Sequence, residues 1–100
     1  MSYEKVAEKL AKRKGVEIST MMKTPCLRYQ GNFMAMFFEK QDALIIKVSP
    51  QRVNELITSG EGMEFKFTGK KFQEWVLIPS KLEAQYEKYM CEALTYAKTG

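Results

Sequence analysis

The sequence predicts one α+β domain, residues 1–100, built on a five-stranded antiparallel sheet. Three observations carry that expectation. Two strand-length apolar runs, 33–38 and 43–48, are separated only by Glu39-Lys40-Gln41-Asp42, which reads as a hairpin. A second pair of runs, 63–67 and 72–78, is joined by Thr68-Gly69-Lys70-Lys71 and reads as another. Segments with helical spacing lie before, between and after them. Hairpins with helices set around them give an antiparallel sheet rather than parallel βαβ units. The expected order is α-β-β-β-α-β-β-α.

The elements follow in chain order. Tyr3, Val6, Ala7, Leu10 and Ala11 share one face of a helix over 3–14. Ser2 is its expected N-cap, and Gly15 its left-handed C-terminal residue. Val16, Ile18 and Thr20 alternate with polar residues, which favours extended chain, and 21–25 reads as a connection. Pro25 disfavours a helical Thr24. The first strand proper is expected over 26–30, with Gly31-Asn32 turning the chain onto Phe33. The strand over 33–39 is apolar at nearly every position, so it needs cover on both faces, or on one face plus a partner. In 43–48, Leu44, Ile46 and Val48 take one face and Ile45 and Lys47 the other. Ser49 caps the next helix and Pro50 opens it, where a missing N–H costs nothing. Ser59-Gly60 ends it. Met63-Glu64-Phe65-Lys66-Phe67 alternates, giving one core face and one wet face. After the last strand and Pro79, Ser80-Lys81-Leu82-Glu83 has the form of a capping box. It opens a helix carrying Leu82, Tyr86, Tyr89, Met90, Ala93, Leu94 and Ala97 at helical spacing.

Composition excludes several function classes. The chain has no histidine, so Ser-His and Cys-His catalysis and histidine metal sites are out. Cys26 and Cys91 cannot complete a structural zinc site, and read as small buried hydrophobes. No P-loop or dinucleotide fingerprint occurs. No cofactor is expected, and the chain does not read as an enzyme. The longest apolar run has six residues, 33–38, far short of a membrane span. Met1-Ser2-Tyr3-Glu4-Lys5 has no apolar signal region, so a cytoplasmic location is expected.

The net charge is +4 and unevenly placed. Lys5, Lys9, Lys12, Arg13 and Lys14 face only Glu4 and Glu8 within the first fifteen residues. Lys12, Arg13 and Lys14 crowd the expected helix C-terminus, where the macrodipole favours them. A phosphate footprint is the competing explanation. Lys70 and Lys71 sit at a hairpin tip with Trp75 four residues on, an arrangement that can touch phosphate and stack a base, or simply solubilise a turn beside a core tryptophan. Lys47 is the one charge in an apolar strand. Its stem covers apolar surface while its amine reaches water, or it marks a ligand pocket. Met21, Met22, Met34 and Met36 fill a core or form an adaptable surface. Glu64 and Glu74 face each other across the second hairpin only if its register allows.

Several stretches together resemble the N-terminal domain of the TfoX competence-regulator family. Met22-Lys23-Thr24-Pro25-Cys26-Leu27 sits where that family has a methionine-led loop into its first strand. Gly31-Asn32-Phe33-Met34-Ala35 is similar to its glycine turn and strand, and Ala43-Leu44-Ile45-Ile46-Lys47-Val48 to its L-x-x-K strand. Arg52, Val53 and Leu56 fit its helix, and Gly60-Glu61-Gly62 the loop after it. Glu74-Trp75-Val76 and Pro79 match its E-W-V-x-x-P segment, and Glu92-Ala93-Leu94-Thr95-Tyr96 its last helix. One departure is that Met22 precedes Lys23-Thr24 where members often have Met-Phe-Gly. Full-length members with transcription-related roles carry a second domain, so a competence function is not expected to carry over intact. The resemblance implies a secretion-chaperone-like sheet and a binding module that meets a protein partner or a second copy of itself. Distant relatives of the YjbR type have been considered nucleic-acid binders, which makes nucleic acid the alternative partner.

Overall fold

The structure, a computed structural model, describes residues 3–21, 24–67 and 70–99, with the side chains of Met21 and of residues 66, 67 and 70–72 left aside. The early loop around Met22 and Lys23, the Ser2 cap and the Thr68-Gly69 turn lie outside the described residues. Among the described residues the order is α1 (Tyr3–Ala11), β1 (Val16–Met21), β2 (Thr24–Tyr29), β3 (Asn32–Phe38), β4 (Ala43–Lys47), α2 (Pro50–Ser59), β5 (Met63–Phe67), β6 (Lys70–Pro79) and α3 (Tyr86–Thr99). Short 3₁₀ turns occupy Glu39–Gln41 and Ser80–Gln85.

The sheet is antiparallel, as expected, but has six strands in the order β1-β2-β3-β4-β6-β5. The additional strand is Val16–Met21, paired from Val16↔Tyr29 to Met21↔Thr24. Its alternation is visible in the sequence, but as an edge strand it buries little, and Ile18 is 59% exposed. Pro25 is accommodated in β2 because the ladder to β3 begins only at Cys26. A proline has no N–H to give a ladder.

α1 is shorter than expected. It ends at Ala11, and residues 12–15 form a turn closed by the Arg13 N–H on the Leu10 carbonyl (2.9 Å) and the Val16 N–H on the Arg13 carbonyl (3.1 Å). The capping box also fails to form. Ser80 is drawn away to Asp42, donating its hydroxyl to Oδ2 (2.6 Å) and its N–H to the carbonyl (3.1 Å). α3 then starts at Tyr86, beyond a 3₁₀ stretch interrupted at Leu82. The start of α2 is as expected: Ser49 Oγ accepts the Arg52 N–H (3.2 Å), and Pro50 is the first helical residue.

All three helices cover one face of the sheet. Val6 and Leu10 of α1, Val53 and Leu56 of α2, and Tyr86, Tyr89, Met90, Ala93 and Leu94 of α3 pack on Leu27, Met34, Ala35, Leu44, Ile46, Val76 and Ile78. A bulge makes this possible in β3. Leu27 pairs with Ala35 but Arg28 with Phe33, so Met34 is the extra residue. Met34 and Ala35 consequently both face the helices.

The far face carries no helix, yet Cys26, Phe33, Met36, Ala43, Ile45, Phe65 and Leu77 are all buried there. The sheet curls over that face and covers it. β3 and β5 are three strand spacings apart, about 14 Å in a flat sheet. Even so, the Phe38 and Phe65 rings meet edge to face at 5.7 Å. Phe33 stacks on Trp75 of β6 at 4.6 Å. The β5–β6 ladder shows where the curl arises. Glu64 pairs with Val76 and Lys66 with Lys71, so one residue of β5 opposes residues 72–75 of β6. The apolar strand β3 is thus covered on both faces within the chain, and Met34 and Met36 are core residues. Cys26 and Cys91 are both free thiols on opposite sides of the sheet.

Candidate functional site

Strand register decides what the sheet brings together. Val16 pairs with Tyr29, Tyr29 with Asn32, and Lys47 with Trp75. β6 continues past the end of β4 toward Lys71 and Lys70. The start of β1, the β2–β3 turn, the end of β4 and the β5–β6 tip therefore lie at the same end of the sheet. That end receives every candidate residue of the sequence: Lys12, Arg13 and Lys14 before β1, Lys47 and Trp75 in the middle, Lys70 and Lys71 by backbone position at the far side. From β1 to β6 is four spacings, about 19 Å when flat.

Two further cations join them. Arg28, half-buried in β2, donates Nη1 to the Gly31 carbonyl (3.1 Å) and braces the turn. Lys98, in the last turn of α3, places Nζ 5.9 Å from the centroid of the Tyr29 ring. That ring lies against Gly15, next to the Lys12–Lys14 turn: a Cβ on Gly15 would stand 2.6 Å from it. Sequence spacing gives no hint of this cluster, because Lys98 and Tyr29 are neighbours only through the packing of α3 on the sheet. Among carboxylates at this end, Glu17 is exposed on β1 and Glu74 is taken by Tyr96. Arg52 is also near but committed, with Nε and Nη2 donating to the two oxygens of Glu92 at 2.7 and 3.2 Å. Hydrogen bonding to Glu92 holds its pKa above the ordinary value.

Lys12, Arg13 and Lys14 are exposed, and no ion pair joins them to a described residue. Lys9, one helical turn earlier, is instead tied to Glu87 (2.7 Å). Trp75 is half-buried, stacked between the far-face cluster and the sheet end. Lys47 lines a cavity of about 210 Å³ with Asn32, Phe33, Glu74, Tyr96 and Ala97. Its candidacy as a pocket residue therefore has a geometric basis. Burial, with the hydrogen bond to Glu74, raises the Tyr96 pKa and keeps its hydroxyl a donor.

The opposite end of the strands has a different character. A cavity of about 290 Å³ there is walled by Tyr3, Thr24, Pro25 and Phe37, with Glu4, Glu39 and Glu83 on its border. Tyr3 and Phe37 meet at 6.4 Å, and burial raises the Tyr3 pKa.

The register does not bring Glu64 and Glu74 face to face. Glu64 opposes Val76, not Glu74, because the β6 bulge intervenes. Cys26 is fully buried, and burial pushes its thiol up, with Arg28 acting in the opposite sense. Among the described residues no group of three His, Cys, Asp or Glu side chains is placed to hold a metal ion. No described helix is long and apolar enough to cross a membrane. No protein-family model matches the chain, and no curated protein matches it.

Proposed function

We propose that this chain is a small non-enzymatic binding module that holds nucleic acid through its phosphate backbone, along the basic end of the sheet. The observation that supports the reading is the strand register, which gathers Lys12, Arg13, Lys14, Arg28, Lys47 and Lys98, and the backbone of Lys70 and Lys71, at one end. Such a row, spread over four strand spacings, matches a polyanion better than a small anion. It also fits a relative of the TfoX N-terminal domain, with a secretion-chaperone-like sheet, working in the cytoplasm near transcription or competence regulation.

Binding at two salt concentrations tests it. With about four phosphate contacts to a single strand, affinity falls roughly fiftyfold between about 50 and 200 mM salt. Replacing Lys12, Arg13 and Lys14 together by Gln should flatten that salt slope by about 2. These side chains are exposed, so the fold is retained. Absence of binding at low salt sinks the reading.

A second reading, a protein partner or self-association, is favoured by one observation. Ile18 is 59% exposed on β1, an edge strand with an unpaired side. The second face of β3 no longer calls for such a partner, since the curled sheet covers it. Sedimentation showing only monomer at high concentration would remove the self-association.

A further inference from the structure

The end of the sheet opposite the basic row carries the cavity of about 290 Å³, which the nucleic-acid reading does not use. Four parts of the chain build it. Tyr3 and Glu4 come from the first turn of α1, and Pro25 from the start of β2. Phe37 and Glu39 come from the end of β3 and the turn after it, and Glu83 from the 3₁₀ stretch before α3. The apolar walls share the helix-covered face of the sheet. Phe37 pairs with Leu44 and Pro25 lies two residues before Leu27, and both of those partners belong to the core beneath the helices. Tyr3 packs against the same core. The Tyr3 and Phe37 rings meet at 6.4 Å, tilted by 40°, and each is only half-buried, so both keep ring surface open to the cavity.

The rim is acidic. Glu4, Glu39 and Glu83 are exposed on it, each from a different element, and none forms an ion pair with a described residue. They are spaced around the cavity rather than gathered. No group of three His, Cys, Asp or Glu side chains among the described residues is placed to hold a metal ion. We propose that this cavity binds a linear polyamine, a slender chain of methylenes carrying several ammonium groups. The methylenes lie along Tyr3, Pro25 and Phe37, and the ammonium groups meet the separated carboxylates. A cation near an aromatic face is further attracted by the ring quadrupole. A compact cation with one charge reaches one carboxylate and leaves the others unmatched. An uncharged ligand matches none. The volume lies near the lower end of the range of about 300–1,000 Å³ usual for small ligands, which suits a slender chain.

Calorimetric titration of the intact chain, free of nucleic acid, tests this at moderate salt. Spermidine should bind one per chain, about tenfold tighter than hexaamminecobalt(III), which has the same charge but no methylenes. Each buried methylene is worth about fourfold, so 1,4-diaminobutane should also bind well above 1,2-diaminoethane. Bound spermidine should show NOEs from its methylene protons to the Tyr3 and Phe37 rings. Glu39→Gln with Glu83→Gln should weaken binding about tenfold. Both side chains are exposed, so the fold is retained, and the ligand series reads the same site on the unaltered protein. Equal or tighter binding of hexaamminecobalt(III) would mean attraction by charge alone and overturns the proposal. So does an absence of spermidine binding at low salt, of the ring NOEs, or of any effect in the double variant. None of these results touches the nucleic-acid reading, which concerns the other end of the sheet.

Discussion

Gln30 and Gly31 show how much backbone chemistry rests on single positions. Their φ angles are +48° and +87°, the paired left-handed values of a type I′ hairpin turn. The sequence points to Gly31-Asn32 as the turn, because glycine and asparagine are its usual residues. The structure slides the turn back by one, and Asn32 instead pairs with Tyr29. A one-residue slip turns every side chain over, so the buried faces of β2 and β3 set the register and Gln30 bears the strain. Gln30→Asn should therefore stabilise the protein, by about 0.5 kcal/mol. Gly31→Ala should cost about 1–2 kcal/mol from backbone strain alone, since open space surrounds that position. Gly15→Ala should cost more. It has the same left-handed backbone, at φ +88°, and its new methyl would also meet the Tyr29 ring. Denaturant melts of the three variants give the order directly, and a Gly31→Ala variant less stable than Gly15→Ala contradicts it.

The two predicted helix starts had different fates, and the contrast is itself a test. Ser49 caps α2 through its own side chain. Ser80 bonds Asp42 in the turn before β4, so Glu83 has no box to complete. Ser49→Ala should cost about 1 kcal/mol. Glu83→Ala should stay within about 0.5 kcal/mol of the parent, as an exposed surface change does. Equal losses in the two variants would mean that a capping box forms after all. α3 is further tied to α2 by the two-pronged Arg52–Glu92 pair and to the loop after α2 by the Tyr89 hydroxyl on Glu61 (2.7 Å). That hydroxyl, with Ser59, holds the Glu61 pKa below its ordinary value. Both ties join residues far apart in sequence, so they fix how the helices sit on the sheet rather than whether they form.

The core as a whole carries a pH limit. Tyr86 and Tyr89 are fully buried beneath the helices, and burial lifts both phenols from 10.0 to about 12. Above pH 10 the unfolded chain gives up these protons while the folded chain keeps them, so the unfolded state gains. Stability should hold up to about pH 10 and fall between about pH 10 and 12. Tyrosinate absorbance should rise with the loss of structure in that window. Smooth titration of these tyrosines near pH 10 with the fold intact would contradict the burial described above. Tyr89→Phe loses one of these contributions and should soften the alkaline fall.

The local order of this molecule is written in its sequence. The start of α2, the opposite faces of Leu44 and Lys47, the extent of β5 and the left-handed Gly15 all follow from propensities acting over a few residues. So does the need of β3 for cover on both faces. What supplies that cover is not local. It comes from the curl of the sheet, which joins Phe38 to Phe65 and Phe33 to Trp75 across strands distant in sequence. The sixth strand, the loss of the capping box and the basic end arise in the same way. Lys12, Lys47, Lys71 and Lys98 each look like routine surface charges until strand register and the packing of α3 set them at one end. Short-range torsional and capping preferences act within a turn or a strand. Pairing register and curvature depend on contacts between distant segments, and these place the charges and open the cavity beside Lys47.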